Sequence, residues 1–205
     1  MARRDAEFIR RWLGAAAEAI TRDAGRLTEL DSAIGDADHG SNMRRGFTAV
    51  VAALTEEPPP PDPGHTLLVA GRTLISTVGG ASGPLYGTLL RGAGKALGDE
   101  QAVEDERLAE ALRAGVDSVA RLGGAAAGDK TMLDALLPAV AVLPDYAAAR
   151  QAAEEGAKAT VPLRARKGRA SYLGERSMGH LDPGAASSAL LVVALAETAA
   201  ADEEA

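Results

Sequence analysis

Three aspartates, a histidine and two glycines fall within ten residues, in Asp31-Ser-Ala-Ile-Gly-Asp36-Ala-Asp38-His39-Gly40. Carboxylates this crowded repel one another unless a cation sits between them. Hard oxygen ligands beside phosphate groups are how proteins hold magnesium. The next residues, Ser41-Asn42-Met43-Arg44-Arg45-Gly46-Phe47, read as the opening turns of a helix, with Ser41 or Asn42 available as its cap. A helix N-terminus offers free N–H groups and the positive end of a dipole, which suits an anion. Metal-binding acids that run straight into an anion-binding helix end imply a site for a metal–nucleotide complex. An EF-hand is excluded: counting from Asp36 puts Ser41 sixth and Phe47 twelfth, where Gly and Glu are required. The plainer alternative is an acidic, turn-forming loop without metal. The third acid, and the His39-Gly40 pair just before a helix, favour metal.

Three further segments have compositions that could serve such a site. Gly79-Gly80-Ala81-Ser82-Gly83-Pro84 joins two helical runs. Its glycines allow close approach to a ligand, and Ser82 with the amides after it could receive a phosphate; the plainer reading is a Gly-rich turn with Ser82 as a cap. Gly123-Gly-Ala-Ala-Ala-Gly128-Asp129-Lys130-Thr131 looks at first like a P-loop, but Asp129 intervenes between Gly128 and Lys130, and Ser118–Leu122 reads as helix rather than strand. The P-loop is rejected, and Asp129 or Thr131 reads as a helix cap. Gly92-Ala-Gly94-Lys-Ala-Leu-Gly98 misses the dinucleotide fingerprint by one residue and lies in a helical run. From Leu163 to Leu181 there are five Arg or Lys against one Glu, in a chain of net charge -7. Arginine grips phosphates with paired hydrogen bonds and stabilises charge that develops during transfer. A solvated basic loop is the ordinary alternative; the Gly, Ser, Tyr and His of this stretch read equally well as a site or a docking surface.

The elements that must position these residues are helices. Phe8, Ile9, Trp12, Leu13, Ala16 and Ile20 fall on one stripe that extends towards Leu27 and Leu30. A second helix is predicted over about 42–54 and ends in a proline-rich connector, Glu56-Glu-Pro58-Pro-Pro-Pro61-Asp-Pro63-Gly64, read as a stiff spacer. Others are predicted over 66–78, from Pro84 onward, and over 104–122, 131–143, 146–160 and 184–200. That makes eight helices, with no strand pattern, and the predicted fold class is all-α, an antiparallel bundle with short connections. The stretch Val161 to Pro183 lacks clean periodicity; a loop this long inside a compact domain is usually functional or disordered, and its composition is too specific for a linker.

Composition sets bounds. The 205 residues read as one domain, 1–205, with chain enough for a substantial core. Hydrophobic residues make up 46% and aromatics only 3%, so that core is built from Ala, Leu and Val. The net charge of -7 argues against a nucleic-acid partner. With no cysteine, disulfides and thiol chemistry are excluded. Met1 to Trp12 is charged, with no apolar signal core, and the longest apolar run, near Ala189 to Ala196, falls far short of a membrane span. The expectation is a cytoplasmic, soluble chain with no membrane partner.

Taken together, Leu30-Asp-Ser-Ala-Ile-Gly-Asp-Ala-Asp-His-Gly-Ser-Asn42, Gly79-Gly-Ala-Ser-Gly-Pro84, Gly128-Asp-Lys-Thr-Met-Leu-Asp134 and Ala165-Arg-Lys-Gly-Arg-Ala-Ser-Tyr-Leu-Gly-Glu-Arg-Ser-Met-Gly-His-Leu-Asp-Pro-Gly184 carry a resemblance. The chain resembles the nucleotide-binding L subunit of bacterial dihydroxyacetone kinase and the related C-terminal domain of single-chain dihydroxyacetone kinases. The resemblance implies an eight-helix antiparallel barrel with a nucleotide, ADP or ATP, and two magnesium ions at one end. It implies metal binding by Asp31, Asp36 and Asp38, and nucleotide contacts at His39, Gly40, Ser41, Asn42, Ser82 and Gly83. Gly123, Met132, Arg169 and the Asp182-Pro183-Gly184 turn match the family's adenine, ribose and phosphate contacts. Arg169, with Arg176 as a second candidate, would screen the transferring group as the catalytic cation; His180 is given no role. Ala125-Ala126-Ala127 is smaller and less polar than the resemblance leads one to expect. In the phosphotransferase-linked members, bound ADP is rephosphorylated by a phosphohistidine-carrying donor subunit and passes the phosphoryl group to dihydroxyacetone, held covalently by a histidine of a separate K subunit. Two alternatives remain: an ATP-dependent kinase for another substrate such as a different short ketose, and a nucleotide-state sensor that regulates a transcription factor.

Overall fold

In the computed structural model, residues 3–56 and 58–203 are described. Met1, Ala2, Glu57, Glu204 and Ala205 lie outside the described residues, and with them the reading of the extreme N-terminus and of Glu57 in the proline-rich connector. Eight α-helices account for most of the described chain: α1 (Ala6–Ile34), α2 (His39–Leu54), α3 (Pro63–Thr77), α4 (Ser82–Leu97), α5 (Asp105–Gly123), α6 (Leu133–Val142), α7 (Tyr146–Ala159) and α8 (Pro183–Glu203).

Local chemistry sets several of the helix starts. The Asp5 side chain accepts from the Phe8 N–H, Asp62 from His65, and Asp145 from Ala148, each occupying an N–H that the helix itself leaves free. Pro63, whose fixed φ suits a first helical turn, opens α3 earlier than the predicted Thr66. The stripe from Phe8 continues through Leu27 to Ile34, all buried, so α1 runs for 29 residues.

Each helix packs against the next in the chain, and α8 packs back against α1, which closes the eight into a ring. The indole of Trp12 in α1 donates to the Leu191 carbonyl of α8 at 2.9 Å across that closure. Small residues let the helices approach: a Cβ on Gly40 would lie 1.9 Å from the Ala24 carbonyl, so only glycine allows the start of α2 to press on α1. The core is mostly Ala, Leu and Val, and the fold is the predicted all-α bundle.

Three details differ from the sequence reading. Arg4–Asp5 and Ala102–Val103 form a two-residue antiparallel pair, too short for any alternation to reveal it. Beside it the Arg4 guanidinium, fully buried, meets Asp105 at 2.6 Å and Asp202 at 3.0 Å, tying the start of α1 to α5 and to the end of α8. Second, the apolar run near Ala189 belongs to a helix of 21 residues that, by length and hydropathy, could cross a membrane; two thirds of its apolar window is buried inside the barrel, which makes it a core helix. Third, the irregular stretch after α7 contains a 3-10 segment, Arg169–Ser177, broken at Gly174, whose φ of 58° is in the left-handed region.

Candidate functional site

Up-and-down connectivity brings the C-terminal ends of α1, α3, α5 and α7 and the N-terminal ends of α2, α4, α6 and α8 to the same end of the ring. A cavity of about 480 Å³ opens there, lined from α1, α2, α4, α5, α6 and α8 and from the Gly79–Ala81 connection after α3, and closed on one side by Lys167–Ala170 of the basic loop. Four helix N-termini therefore lie around one mouth, an arrangement that favours an anion.

Asp31 sits in the last turn of α1, Asp36 in the turn, and Asp38 immediately before α2; one carboxylate oxygen from each lies within 4.8 Å of the others. Ala37 between them takes a left-handed φ of 62°, which turns the chain back on itself. Asp31 Oδ2 accepts the N–H of Asp38 at 2.9 Å and of His39 at 3.1 Å. This corrects the expectation that Ser41 or Asn42 caps α2. Both lie inside the first turn, where the Ser41 hydroxyl donates to the Asp38 carbonyl and the Asn42 side-chain oxygen Oδ1 accepts from the Arg45 guanidinium. Position 35 must be glycine here, since a Cβ would stand 1.9 Å from Asp31 Oδ1. The resulting donor set is all oxygen and carries three formal negative charges; it suits a hard divalent cation such as magnesium better than zinc, which prefers nitrogen and sulfur.

Arg169 reaches across from the basic loop, and its guanidinium lies 2.9 Å from Asp36 Oδ2. His39 is buried, its Nδ1 3.2 Å from the Ser82 hydroxyl of α4 and its Nε2 2.8 Å from that of Ser187 in α8. Ser187 in turn meets the Tyr86 hydroxyl at 2.7 Å, which also contacts Ser188 at 2.8 Å. Burial lowers the His39 pKa despite the attraction of Asp31 and Asp38, so the ring is a neutral hydrogen-bonding post joining α2, α4 and α8. Burial likewise pushes the Tyr86 phenol up to about 12, and it stays protonated.

Leu85, Val119, Leu122, Met132 and Leu133, from α4, α5 and the head of α6, give the cavity an apolar wall. The space thus combines a polar, acidic part with an apolar one, as a nucleotide's phosphates and base require. Asp182 accepts the Ala185 N–H at 2.8 Å at the head of α8. Its burial raises its pKa to about 7, against the lowering effect of the Ala185 N–H and of Lys130.

Among the sequence candidates, Asp31, Asp36, Asp38, His39, Ser82, Gly123, Met132, Arg169, Asp182, Pro183 and Gly184 all line this one cavity. Gly40, Ser41, Asn42 and Gly83 stand in the first turns of α2 and α4 just behind its wall. Arg176 and His180 are exposed and do not line it. Asp129 does not cap α6. Its side chain accepts from Ala126, while Asp134 accepts the Thr131 N–H and the Thr131 hydroxyl accepts from Leu133. Sequence reasoning missed Lys130 once the P-loop was rejected. The side chain is buried against the cavity, and only its place beside Gly128 and Asp129 in a turn signalled it.

Residues 33–197 match the family model of the DAK2 domain. The chain is 44% identical over 194 residues, 95% of its own length and 97% of the relative's, to the ADP-binding subunit DhaL of PEP-dependent dihydroxyacetone kinase 1 of Listeria innocua. It is 44% identical over 196 residues to the corresponding subunit of the PEP-dependent dihydroxyacetone kinase of Escherichia coli, covering 90% of this chain and 93% of that one. The fold matches the dihydroxyacetone kinase of C. freundii in complex with AMP-PNP and Mg2+ with a TM-score of 0.71 at 27% identity, over 93% of this chain and 34% of that one. The chain belongs to the DAK2 domain family. These relatives are kinases or subunits of kinases, and the family is one of phosphotransferases.

Proposed function

We propose that this chain is the ADP- and magnesium-binding subunit of a dihydroxyacetone kinase, relaying a phosphoryl group from a phosphohistidine donor subunit, through bound ADP, to dihydroxyacetone held on a K-type partner subunit. The observation that carries this reading is the meeting of three carboxylates, four helix N-termini and an apolar wall in a single cavity. The names of the similar subunits, and the ATP analogue and Mg2+ in the similar kinase structure, support the same occupant.

In this reading Asp31, Asp36 and Asp38 hold magnesium, two ions in all. Bound there, magnesium neutralises phosphate charge and orients its oxygens. The N–H groups at the heads of α2 and α4, at Gly40 and Ser41 and at Ser82 and Gly83, receive the phosphates, with the His39 and Asn42 side chains beside them; the His39 and Asn42 N–H groups already donate to Asp31 and Asp38. His39, bonded at both ring nitrogens, keeps those two helix ends in register with α8. Gly123 and Met132 accept the adenine, and the Asp182-Pro183-Gly184 turn closes the ribose side. His39 is bonded at both ring nitrogens and the Lys130 ammonium donates to two carbonyls, so neither is a free nucleophile for a ketose, which fits a partner that brings the substrate. Phosphoryl transfer needs mainly positioning and charge neutralisation, and this cavity is equipped for both.

Purified under native conditions with magnesium and then denatured, the chain should release one equivalent of ADP or ATP, identified by mass spectrometry. Release of no nucleotide, together with no binding of added ADP–magnesium by calorimetry, would overturn the proposal.

Arg169 provides a second check. It is the cation nearest the acid cluster, and it would turn from Asp36 towards the phosphates as they enter. A hydrogen bond to a charged group is worth about 1.5–3 kcal/mol; Arg169 is largely exposed, which places it at the lower end. Arg169→Ala should therefore slow phosphoryl transfer, or weaken ADP–magnesium binding, by roughly tenfold. Hydrogen exchange over residues 164–184 should show more protection with ADP–magnesium than without. Equal protection in both states, with wild-type transfer rates for the variant, would leave this stretch a solvated surface loop.

A further inference from the structure

We infer that Lys130 is a positioning residue for phosphoryl transfer: its buried ammonium closes the neck of the basic loop and so fixes where Arg169 stands over the acid cluster. This rests on the nucleotide reading given above. Lys130 is only 1% exposed. Its Nζ donates to the Thr160 carbonyl, at the end of α7, at 2.6 Å, and to the carbonyl of His180, two residues before Asp182. One ammonium thus joins the two ends of the loop.

Three lighter contacts complete the neck. The Gly179 N–H donates to the Val161 carbonyl at 2.8 Å, the Asp182 N–H to the Thr160 hydroxyl at 3.0 Å, and the Ala165 N–H to the Ser177 hydroxyl at 2.9 Å. A surface loop whose ends meet in this way moves or stays as a unit. Its tip reaches both rims of the cavity. Arg169 meets Asp36 on the α1–α2 side, while the Lys167 ammonium stands beside Gly124, the left-handed cap of α5, 3.7 Å from where a Cβ on that glycine would lie.

The backbone at Lys130 adds an independent argument. Its φ of 63° lies in a region where a residue with a Cβ is disfavoured and glycine is at home. Holding a lysine there, with its ammonium buried near Asp182 and Asp134, costs free energy that glycine would not, and the two hydrogen bonds of the ammonium offset that cost. The loop also packs through a small apolar cluster of its own, Ala165, Ala170 and Leu173 against Ile34, separate from the main core. Loss of the ammonium should release the loop and leave the barrel in place.

The test uses full-length Lys130→Met. Without nucleotide, hydrogen exchange over residues 161–181 should quicken by about tenfold or more, the scale of one lost charged hydrogen bond, with α1 to α4 unchanged. In a mixture with the partner and donor subunits, the transfer rate should fall by about tenfold while ADP–magnesium affinity stays within about threefold, and Lys130→Arg should recover most of the loss. Wild-type exchange in 161–181 would overturn the inference. So would a loss of protection spread evenly over all helices, with affinity and rate falling together, because that is the signature of a residue that only stabilises the barrel. If Lys130→Met shows no cooperative unfolding, Lys130→Gln, which keeps one donor, is read by the same criteria. Failure of the nucleotide reading itself would show as a wild-type chain without ADP affinity, and the exchange result, taken without nucleotide, is independent of it.

Discussion

Asp36→Asn is expected to abolish the retention of ADP through gel filtration in magnesium while the helical circular dichroism stays at its wild-type level. Asp36 is the central member of three carboxylates whose oxygens lie within 4.8 Å of one another, in a turn outside the helical core. Asparagine matches its shape and removes one formal charge from the cation's surroundings. Losing a group that merely supports a metal ligand costs about 10–100-fold in affinity, so losing a direct ligand should cost at least the upper figure. The barrel does not depend on Asp36: its ion pair with Arg169 is largely exposed, and such pairs contribute about 1 kcal/mol or less. An amide in place of the carboxylate also relieves repulsion from Asp31 and Asp38, so the magnesium-free variant should melt no lower than wild type within that margin. ADP retention equal to wild type would remove the metal from this cluster. Loss of retention together with loss of helical signal would trace the effect to folding instead.

The second large effect is an absence that a partner should repair. Given ATP, magnesium and dihydroxyacetone, the isolated chain is expected to show no phosphorylation above background. The reason is in the cavity: His39 is engaged at both ring nitrogens, and Lys130 is committed to two carbonyls. Neither is free to anchor a carbonyl substrate next to the phosphates. Holding two reactants in register is worth several orders of magnitude in rate, and this chain supplies only one half of that alignment. A K-type subunit and a phosphoryl donor should restore turnover, which a coupled assay of dihydroxyacetone phosphate would measure. Rapid phosphorylation by the isolated chain would overturn the division of labour and make this a self-sufficient kinase.

Much of the barrel was legible because its determinants are local. Helix periodicity from Phe8 to Ile20 placed α1 without any knowledge of what it packs against, whereas Pro63, read as the end of a stiff connector, opens α3 three residues before the predicted start. The acid cluster was legible for the same reason: Asp31, Asp36 and Asp38 are one tight turn apart, and a chain that must reverse there brings their oxygens together. The capping of α2 was misread because the group that does it is not in the helix's own first turn. Asp31 reaches over from α1, a geometry that depends on how the two helices close on each other.

The sequence by itself determined eight helices, their approximate limits, the apolar stripe of the first, and an oxygen-rich motif at one turn. Only the tertiary structure decided which ends meet. The bond from His39 to Ser187 spans 148 residues, and the short pair near Arg4 and the clasp from Arg4 to Asp202 depend on the same ring closure. So do the seat of Arg169 over Asp36 and the neck held by Lys130. A helix repeat fixes which residues share a face within a few turns, and its information stops there. Which faces then adjoin depends on packing eight stripes around a common core, a property of the closed ring that no single stretch of the chain contains.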